Sequence, residues 1–337
     1  MKKDIHSHSS EQRSGNLPAY LTESEEFQFS RLTMQGIDNM PVLNMNGPAM
    51  ADEEICLFHR NFVSGDEYIA RLHDVVKKAM INRQRLPAVR FADGEYAFYK
   101  YTLGCNGLYR QAESVRAIRE AMPLHIDALR RLAAGGKMAP LIFPGNIEGE
   151  KKRGFLSTLS SVFRRSEGEA SATSFLNFLF GNGIELTGEN YLPFYAIYAY
   201  LTSESFARLV DGRKVCILNA DCNPGACREW FTRFGSKPEI VFAEIPAEYI
   251  ATQWGTMRDR ILERVPPDAE LCLIGAGVGA LPLCVDIADH FSIPTIDAGH
   301  VLNMMNGRED KSNGARLFTI RKPEENSVPS GGEPAPL

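Results

Sequence analysis

The amino-acid sequence predicts an α/β protein of Rossmann-like build, a mainly parallel sheet flanked by helices in a single large domain with flexible termini. Three observations support this class. From residue 203 onward, short apolar strands alternate with helical stretches, the pattern of right-handed βαβ units. The 337 residues, 44% hydrophobic and 23% charged, suit one large globular core. The polar motifs fall where strands run out, and parallel sheets bind ligands beyond the carboxyl ends of their strands.

Residues 1–50 are rich in Ser, Glu, Gln, Asn and Met without periodicity and read as a flexible arm, with 27–32 the one stretch placed to dock. The folded domain spans 51–322, with order starting near Ile55. Ser64 followed by Glu67 is a capping box, and Ile69, Leu72, Val76 and Met80 then recur at helical spacing. A short apolar strand at 88–91 follows, then a long amphipathic helix or helix pair at 113–134 interrupted by Pro123, then a strand at 140–143. Residues 145–190 lack a clear pattern, and Gly145-Asn146 and Gly181-Asn182-Gly183 read as loops. Helices at 204–210, 225–234, 249–265 and 279–290 then alternate with strands at 215–219, 240–243, 271–274 and 295–297. The Pro-, Gly- and Glu-rich tail at 323–337 reads as disordered.

Bulk properties narrow the function. A net charge of −5 argues against a broad nucleic-acid footprint, although Lys151, Lys152, Arg153, Arg164 and Arg165 form a local basic cluster. No segment approaches the about 18 apolar residues that span a bilayer. The first 15 residues lack the apolar core of a secretion signal. Seven cysteines, at 56, 105, 216, 222, 227, 272 and 284, are an odd number, and four of them lie in apolar surroundings. Free thiols in a reducing cytoplasm are the expectation.

Arg90-Phe91-Ala92-Asp93-Gly94-Glu95 puts one cation and two carboxylates into six residues as a strand ends. Glycine between the acids lets the backbone turn, so both side chains are expected to converge on one point. Two hard oxygen ligands leave the rest of an octahedral shell to water and phosphate, the usual manner of holding Mg2+ or Mn2+. Arg90 offers either a bidentate phosphate contact or, turned inward, a buried ion-pair partner. The plain alternative is an Asp-Gly turn beside a solvated Glu.

This segment resembles the signature of the GT-D-fold glycosyltransferases, a family first described only as a domain of unknown function, whose pattern is roughly Arg-Phe/Tyr-Gly-Asp-Gly-Glu. In that family the Asp and Glu form a DxE metal site for the nucleotide diphosphate. The resemblance implies that Asp93 and Glu95 are catalytic metal ligands for Mn2+ or Mg2+, with Arg90 and Gly94 beside the bound nucleotide. It implies transfer of a hexose from a nucleoside diphosphate sugar, for instance a UDP-sugar, to a glycan, lipid-linked or protein acceptor. Ala92 stands where the family usually has glycine.

The second segment carrying the resemblance is an apolar strand leading into Gly275-Ala-Gly277-Val-Gly279-Ala280, followed by Asp297-Ala-Gly-His300. The latter resembles the family's Asp-x-Gly-His. Backbone N–H groups at Gly275, Gly277 and Gly279 and the next helix's N-terminus would face the donor. His300 would contact phosphate or sugar, or else be satisfied by a backbone carbonyl. Asp297 lies 22 residues after Gly275, nearly the spacing of a dinucleotide fingerprint. An NAD- or S-adenosylmethionine-dependent enzyme is therefore a rival reading, as is a non-catalytic nucleotide-binding module. Against the first rival, this is the last βαβ unit and Ala280 replaces the third glycine. Family members carry acidic residues just after the histidine, whereas here 301–306 are Val-Leu-Asn-Met-Met-Asn, with Glu309 and Asp310 only later. The general base is thus unassigned.

Asn219 opens the segment Asn-Ala-Asp-Cys-Asn-Pro-Gly225, where a ligand contact competes with simple helix capping by Asn223 and Pro224. Cys222 and Cys227 lack the further ligands of a zinc site. Tyr191, Phe194, Tyr195, Tyr198 and Tyr200 read as core before acceptor platform. Glu244 and Glu248 read as solvated loop acids.

Overall fold

The computed structural model describes residues 17–30, 56–61, 65–107, 109–142 and 170–307. The capping Ser64, Gly145-Asn146, the basic cluster at 151–165, Glu309, Asp310 and the 323–337 tail lie outside the described residues.

In chain order the elements are α1 (Ala19–Thr22), β1 (Phe27–Ser30), β2 (Cys56–His59), α2 (Gly65–Asn82), β3 (Leu86–Phe91), α3 (Asp93–Tyr99), α4 (Val115–Gly135) and β4 (Lys137–Pro140). Then come α5 (Ala172–Gly181), α6 (Phe194–Leu201), α7 (Glu204–Leu209), β5 (Lys214–Asn219), α8 (Pro224–Thr232) and β6 (Glu239–Glu244). The chain continues through α9 (Ile250–Leu262), β7 (Leu271–Gly275), α10 (Ala280–Phe291), β8 (Pro294–Asp297) and α11 (His300–Met305). Six strands form one sheet in the order β4-β3-β8-β7-β5-β6, every neighbouring pair parallel.

Successive residues of a strand face opposite sides of a sheet, and here the alternation feeds two separate cores. Val89, Phe91, Cys216, Leu218, Cys272 and Ile274 pack with residues of α3, α4, α5, α9 and α10. Ala88, Val215, Ile217, Leu271, Leu273 and Ile296 pack with α2, α6, α7, α8 and α11. Because both faces are covered, the strands read as continuous apolar runs, as parallel strands do.

Four features differ from the sequence expectation. The arm is not wholly flexible: Leu17, Leu21 and Phe27 are buried in the first core, and β1 pairs antiparallel with β2. Residues 113–134 form no helix pair, since α4 runs unbroken through Pro123. The strand expected at 140–143 is instead Lys137–Pro140. It starts directly after Gly136, where a Cβ would sit 2.5 Å from the Pro87 carbonyl oxygen. Finally, Asp93-Gly94-Glu95 forms no open turn but the first turn of a helix.

His125 of α4 joins three helices. It is fully buried, Nε2 donates to the Ala251 carbonyl of α9 at 2.8 Å, and Nδ1 lies 3.2 Å from the Tyr99 hydroxyl of α3. A carbonyl can only accept, so the ring is neutral with its proton on Nε2 and Nδ1 accepts from Tyr99. Burial lowers its pKa to about 4, against a smaller opposing effect of the Ala251 bond. The folded state therefore refuses a proton that the unfolded chain takes up once pH falls below the usual histidine value. We expect stability to drop as pH descends from about 6.5 to about 4, by on the order of 3 kcal/mol from this residue. Urea unfolding of the wild type and His125→Asn across that range should show a shallower pH slope in the variant.

Candidate functional site

The topology creates a crevice at the carboxyl edge of the sheet. The connection from β5 passes through α8 to its outer neighbour β6, whereas that from β7 passes through α10 the other way to β8. Connections that diverge leave a cleft between the strand ends. Asn219 and Gly275 are register partners across this divide, as are Ile274 and Asp297 on the next pair.

Beside that divide lies a buried ion pair. Arg90 Nη2 meets Asp297 Oδ1 at 2.8 Å, and the Arg90 backbone N–H donates to Oδ2 at 3.2 Å. Arg90 Nε also donates to the Asp297 carbonyl at 3.0 Å, and Nη1 donates to the Tyr198 hydroxyl. The guanidinium lies 4.1 Å from the Tyr198 ring centre and 5.2 Å from that of Phe194, a cation–π arrangement. Burial opposes the charge, but Asp297 holds the Arg90 pKa above its ordinary value. Gly299, at φ +41, makes room, because any side chain there would run into Arg90 Nη2. Of the two roles open to Arg90, the structure adopts the ion pair. The carboxylate of Asp297 is engaged in the same contacts.

Asp93 and Glu95 come one residue past β3, as the first and third residues of α3. On a helix these positions project to different sides, although both side chains lean toward the N-terminus. The expected convergence through a glycine turn is absent, and Gly94 has no left-handed φ. Glu95 Oε2 instead turns back to accept the Ala92 N–H at 2.8 Å, half of a capping box whose N-cap has no side-chain oxygen. Asp93 is exposed. Burial raises the Glu95 carboxyl to about 7; the Ala92 bond and Arg90 oppose this, while Asp297 adds to it. Glu95 and Asp297 thus both act on the one guanidinium, and Asp93 stands exposed at the start of the same helix as Glu95. Among the described residues no group of three or more His, Cys, Asp or Glu gathers as a complete metal shell. The two carboxylates are hard oxygen donors of the kind Mg2+ or Mn2+ takes, but Asp93 is exposed and Glu95 is turned to a backbone amide, so the structure does not bring them to one point.

The glycines divide into two kinds. A methyl group on Gly94 would meet no atom of the described residues within 4 Å. At Gly275 it would lie 2.8 Å from Leu302 Cδ1 and 3.3 Å from Asn219 Nδ2, at Gly277 2.7 Å from Gln111, and at Gly279 it would collide with Ile250. The Val278 N–H donates to Gln111 Oε1 at 3.0 Å. The 275–279 loop is therefore packed tightly against α9, α11 and Gln111, and Gly94 stands beside open space.

His300 opens α11 half-buried, directly after the Asp297–Gly299 turn. One turn on, Asn303 Nδ2 reaches the Tyr109 hydroxyl at 3.3 Å. Asn219 Oδ1 accepts the Ala220 N–H at 2.7 Å. Asn223 caps α8 through the Gly225 and Ala226 N–H groups. Of the aromatic run, Tyr191, Phe194, Tyr198 and Tyr200 are buried. Glu244 and Glu248 are exposed, the latter 3.6 Å from Arg110. Gln111 and Tyr109 are contributors that no motif flags, and the aromatic run gives no sign that Tyr198 meets Arg90; only their partners in space reveal them.

No family model matches the chain, and no curated protein matches it. Two solved structures of domain of unknown function 1792 are similar to it. One, reported as showing that this highly conserved domain has a distinct glycosyltransferase fold, is 15% identical, with 74% of this chain and 89% of that one covered at a TM-score of 0.42. A selenomethionine-substituted structure of the same domain is 16% identical over the same shares, at a TM-score of 0.39.

Removing one partner of a buried ion pair strands the other charge, whereas replacing both with apolar groups often costs little. Asp297→Ala is expected to destabilise the fold by about 3–5 kcal/mol, and the double change Arg90→Met with Asp297→Leu to recover most of that loss. Urea denaturation of the three proteins measures it.

Proposed function

We propose that the chain is a metal-dependent glycosyltransferase that moves a hexose from a nucleoside diphosphate sugar, such as a UDP-sugar, to a hydroxyl of a glycan, lipid-linked or protein acceptor. The observation that carries this reading is the pair of acids just past the carboxyl end of β3, with the Glu95 carboxyl raised to about 7 by burial and, among the described residues, open space beside Gly94. Elevated carboxyl pKa values of this kind mark functional sites when they sit at a ligand-binding edge. The resemblance of 90–95 and 297–300 to the GT-D signature supports the same chemistry.

Asp93 and Glu95 are the residues that would hold Mn2+ or Mg2+, which when bound would offset the charge of the departing diphosphate. Asn219 at the end of β5 and His300 at the start of α11 would be the polar side chains that meet the donor's phosphate or sugar. Arg90 and Asp297 would act from beneath, tying β3 to β8 so that α3 and α11 both start from the carboxyl edge of the sheet. The dinucleotide alternative fares poorly on this geometry. Asp297, which would have to grip a ribose, is bound to Arg90, and the Val278 N–H is taken by Gln111. No helix among the described residues is long and apolar enough to cross a membrane, so a lipid-linked acceptor would be met at the surface.

Calorimetry with UDP and Mn2+ provides the test. Binding should require the metal and vanish in Asp93→Ala; an undiminished variant, or NAD binding without metal, would sink the proposal. Gly94→Ala should leave stability unchanged or raised by up to about 1 kcal/mol, since alanine is the better helix former, yet weaken UDP binding by filling the space beside the carboxylates. The pH dependence has a definite sign. Glu95 must lose its proton to bind a cation, so affinity should climb as pH rises toward about 7 and level off above it. Glu95→Gln should flatten that profile.

A further inference from the structure

Two cysteines meet where the loop after β5 enters α8. Cys222 precedes the capping Asn223, Cys227 lies within the first turns of the helix, and their Sγ atoms are 3.9 Å apart. Cys222 is half-buried and Cys227 buried. The Cys227 thiol also donates to Asn306 Oδ1 at 3.3 Å. The same Asn306, at the end of α11, accepts the Asn223 N–H at 3.0 Å and donates to the Asp221 carbonyl at 2.9 Å. Both sulfurs therefore sit in the joint that fastens the 219–223 loop to α11.

From this placement we infer that Cys222 and Cys227 are a redox-active dithiol, a modification site that closes reversibly to an intramolecular disulfide by exchange with a small disulfide of the glutathione class. The Cys222 thiolate attacks one sulfur of the small disulfide and expels a first small thiolate, which takes up a proton. Cys227 then gives its proton to solvent and attacks the Cys222 sulfur, forming the internal bond and expelling the second small thiolate, which is protonated in turn. Two protein thiols are oxidised and one small disulfide is reduced to two thiols, so the step balances without another reagent.

Exposure assigns the roles. Cys222 can be reached, whereas Cys227 resolves the mixed disulfide from inside. The contact between the two sulfurs lowers the Cys222 pKa and, with burial, raises that of Cys227, which is the polarity of an attacking and a resolving thiol. Forming the bond brings the sulfurs from 3.9 Å to about 2 Å. Cys216, Cys272 and Cys284 are fully buried in the core beneath the sheet and serve as unreactive controls. A disulfide has no S–H, so oxidation removes one of the two hydrogen bonds that Asn306 Oδ1 receives.

Reduced full-length protein would be treated with oxidised glutathione, alkylated and digested for peptide mass spectrometry. The expected result is a Cys222–Cys227 link, two hydrogens lighter than the dithiol and reversed by dithiothreitol. Cys227→Ser should trap a glutathione adduct on Cys222, and Cys222→Ser should form neither product. Hydrogen exchange at the Asn223 amide should be about fivefold faster in the oxidised form, the effect of weakening one hydrogen-bonded joint. Wild-type protein whose two thiols stay alkylatable, or which keeps a stable adduct on Cys222, overturns the inference. So does oxidation that leaves Asn223 exchange unchanged. None of these readouts depends on glycosyl transfer.

Discussion

The Arg90–Asp297 pair is the interaction on which the arrangement of this edge of the sheet depends. It joins residues 207 positions apart and bonds through backbone and side chain alike. A charge carried into the interior is costly unless it is fully satisfied. Here it is met by a carboxylate, a carbonyl, a tyrosine hydroxyl and two aromatic faces. That satisfaction constrains its neighbours: Tyr198 must point inward from α6, and position 299 can be only glycine. Because β3 and β8 are adjacent strands, α3 and α11 leave the same edge of the sheet, one toward each face.

The carboxyl edge uses glycine for two opposed physical ends. In the 275–279 loop the missing Cβ lets protein approach protein, as Leu302, Gln111 and Ile250 close on the backbone. At Gly94 no atom of the described residues fills the gap. Motif spacing treats both glycine sets alike, yet only the second leaves room. A fingerprint that resembles a dinucleotide cradle can therefore be scaffolding, while a less conspicuous glycine borders the vacancy.

The strands of the second half are legible in the sequence because apolar runs at 215–219, 240–243, 271–274 and 295–297 are bounded by polar turns, as buried parallel strands must be. The helices Ala172–Gly181 and Phe194–Leu201 escape that reading. They are apolar nearly all round, with no polar face to mark a helical period. The helix Asp93–Tyr99 escapes it for another reason. Its N-cap is Ala92, and the cap comes from Glu95 reaching back, so the usual Ser, Thr, Asp or Asn signal is missing. Of the site, the acids and the Asp-x-Gly-His segment stand out locally. Their electrostatic context does not, because Arg90, Tyr198 and Asp297 meet only through the fold.

Glu95 serves two masters, and this narrows what evolution can try at that position. Its length lets it fasten the start of a helix, while its charge belongs to the proposed cation site. Aspartate would keep the charge but fall one methylene short of the amide; glutamine would keep the reach and surrender the charge. Asp93, exposed and holding no cap, has only its place in the proposed cation site at stake. Positions of such double employment are those where homologous sequences should vary least, whatever ligand the cleft receives.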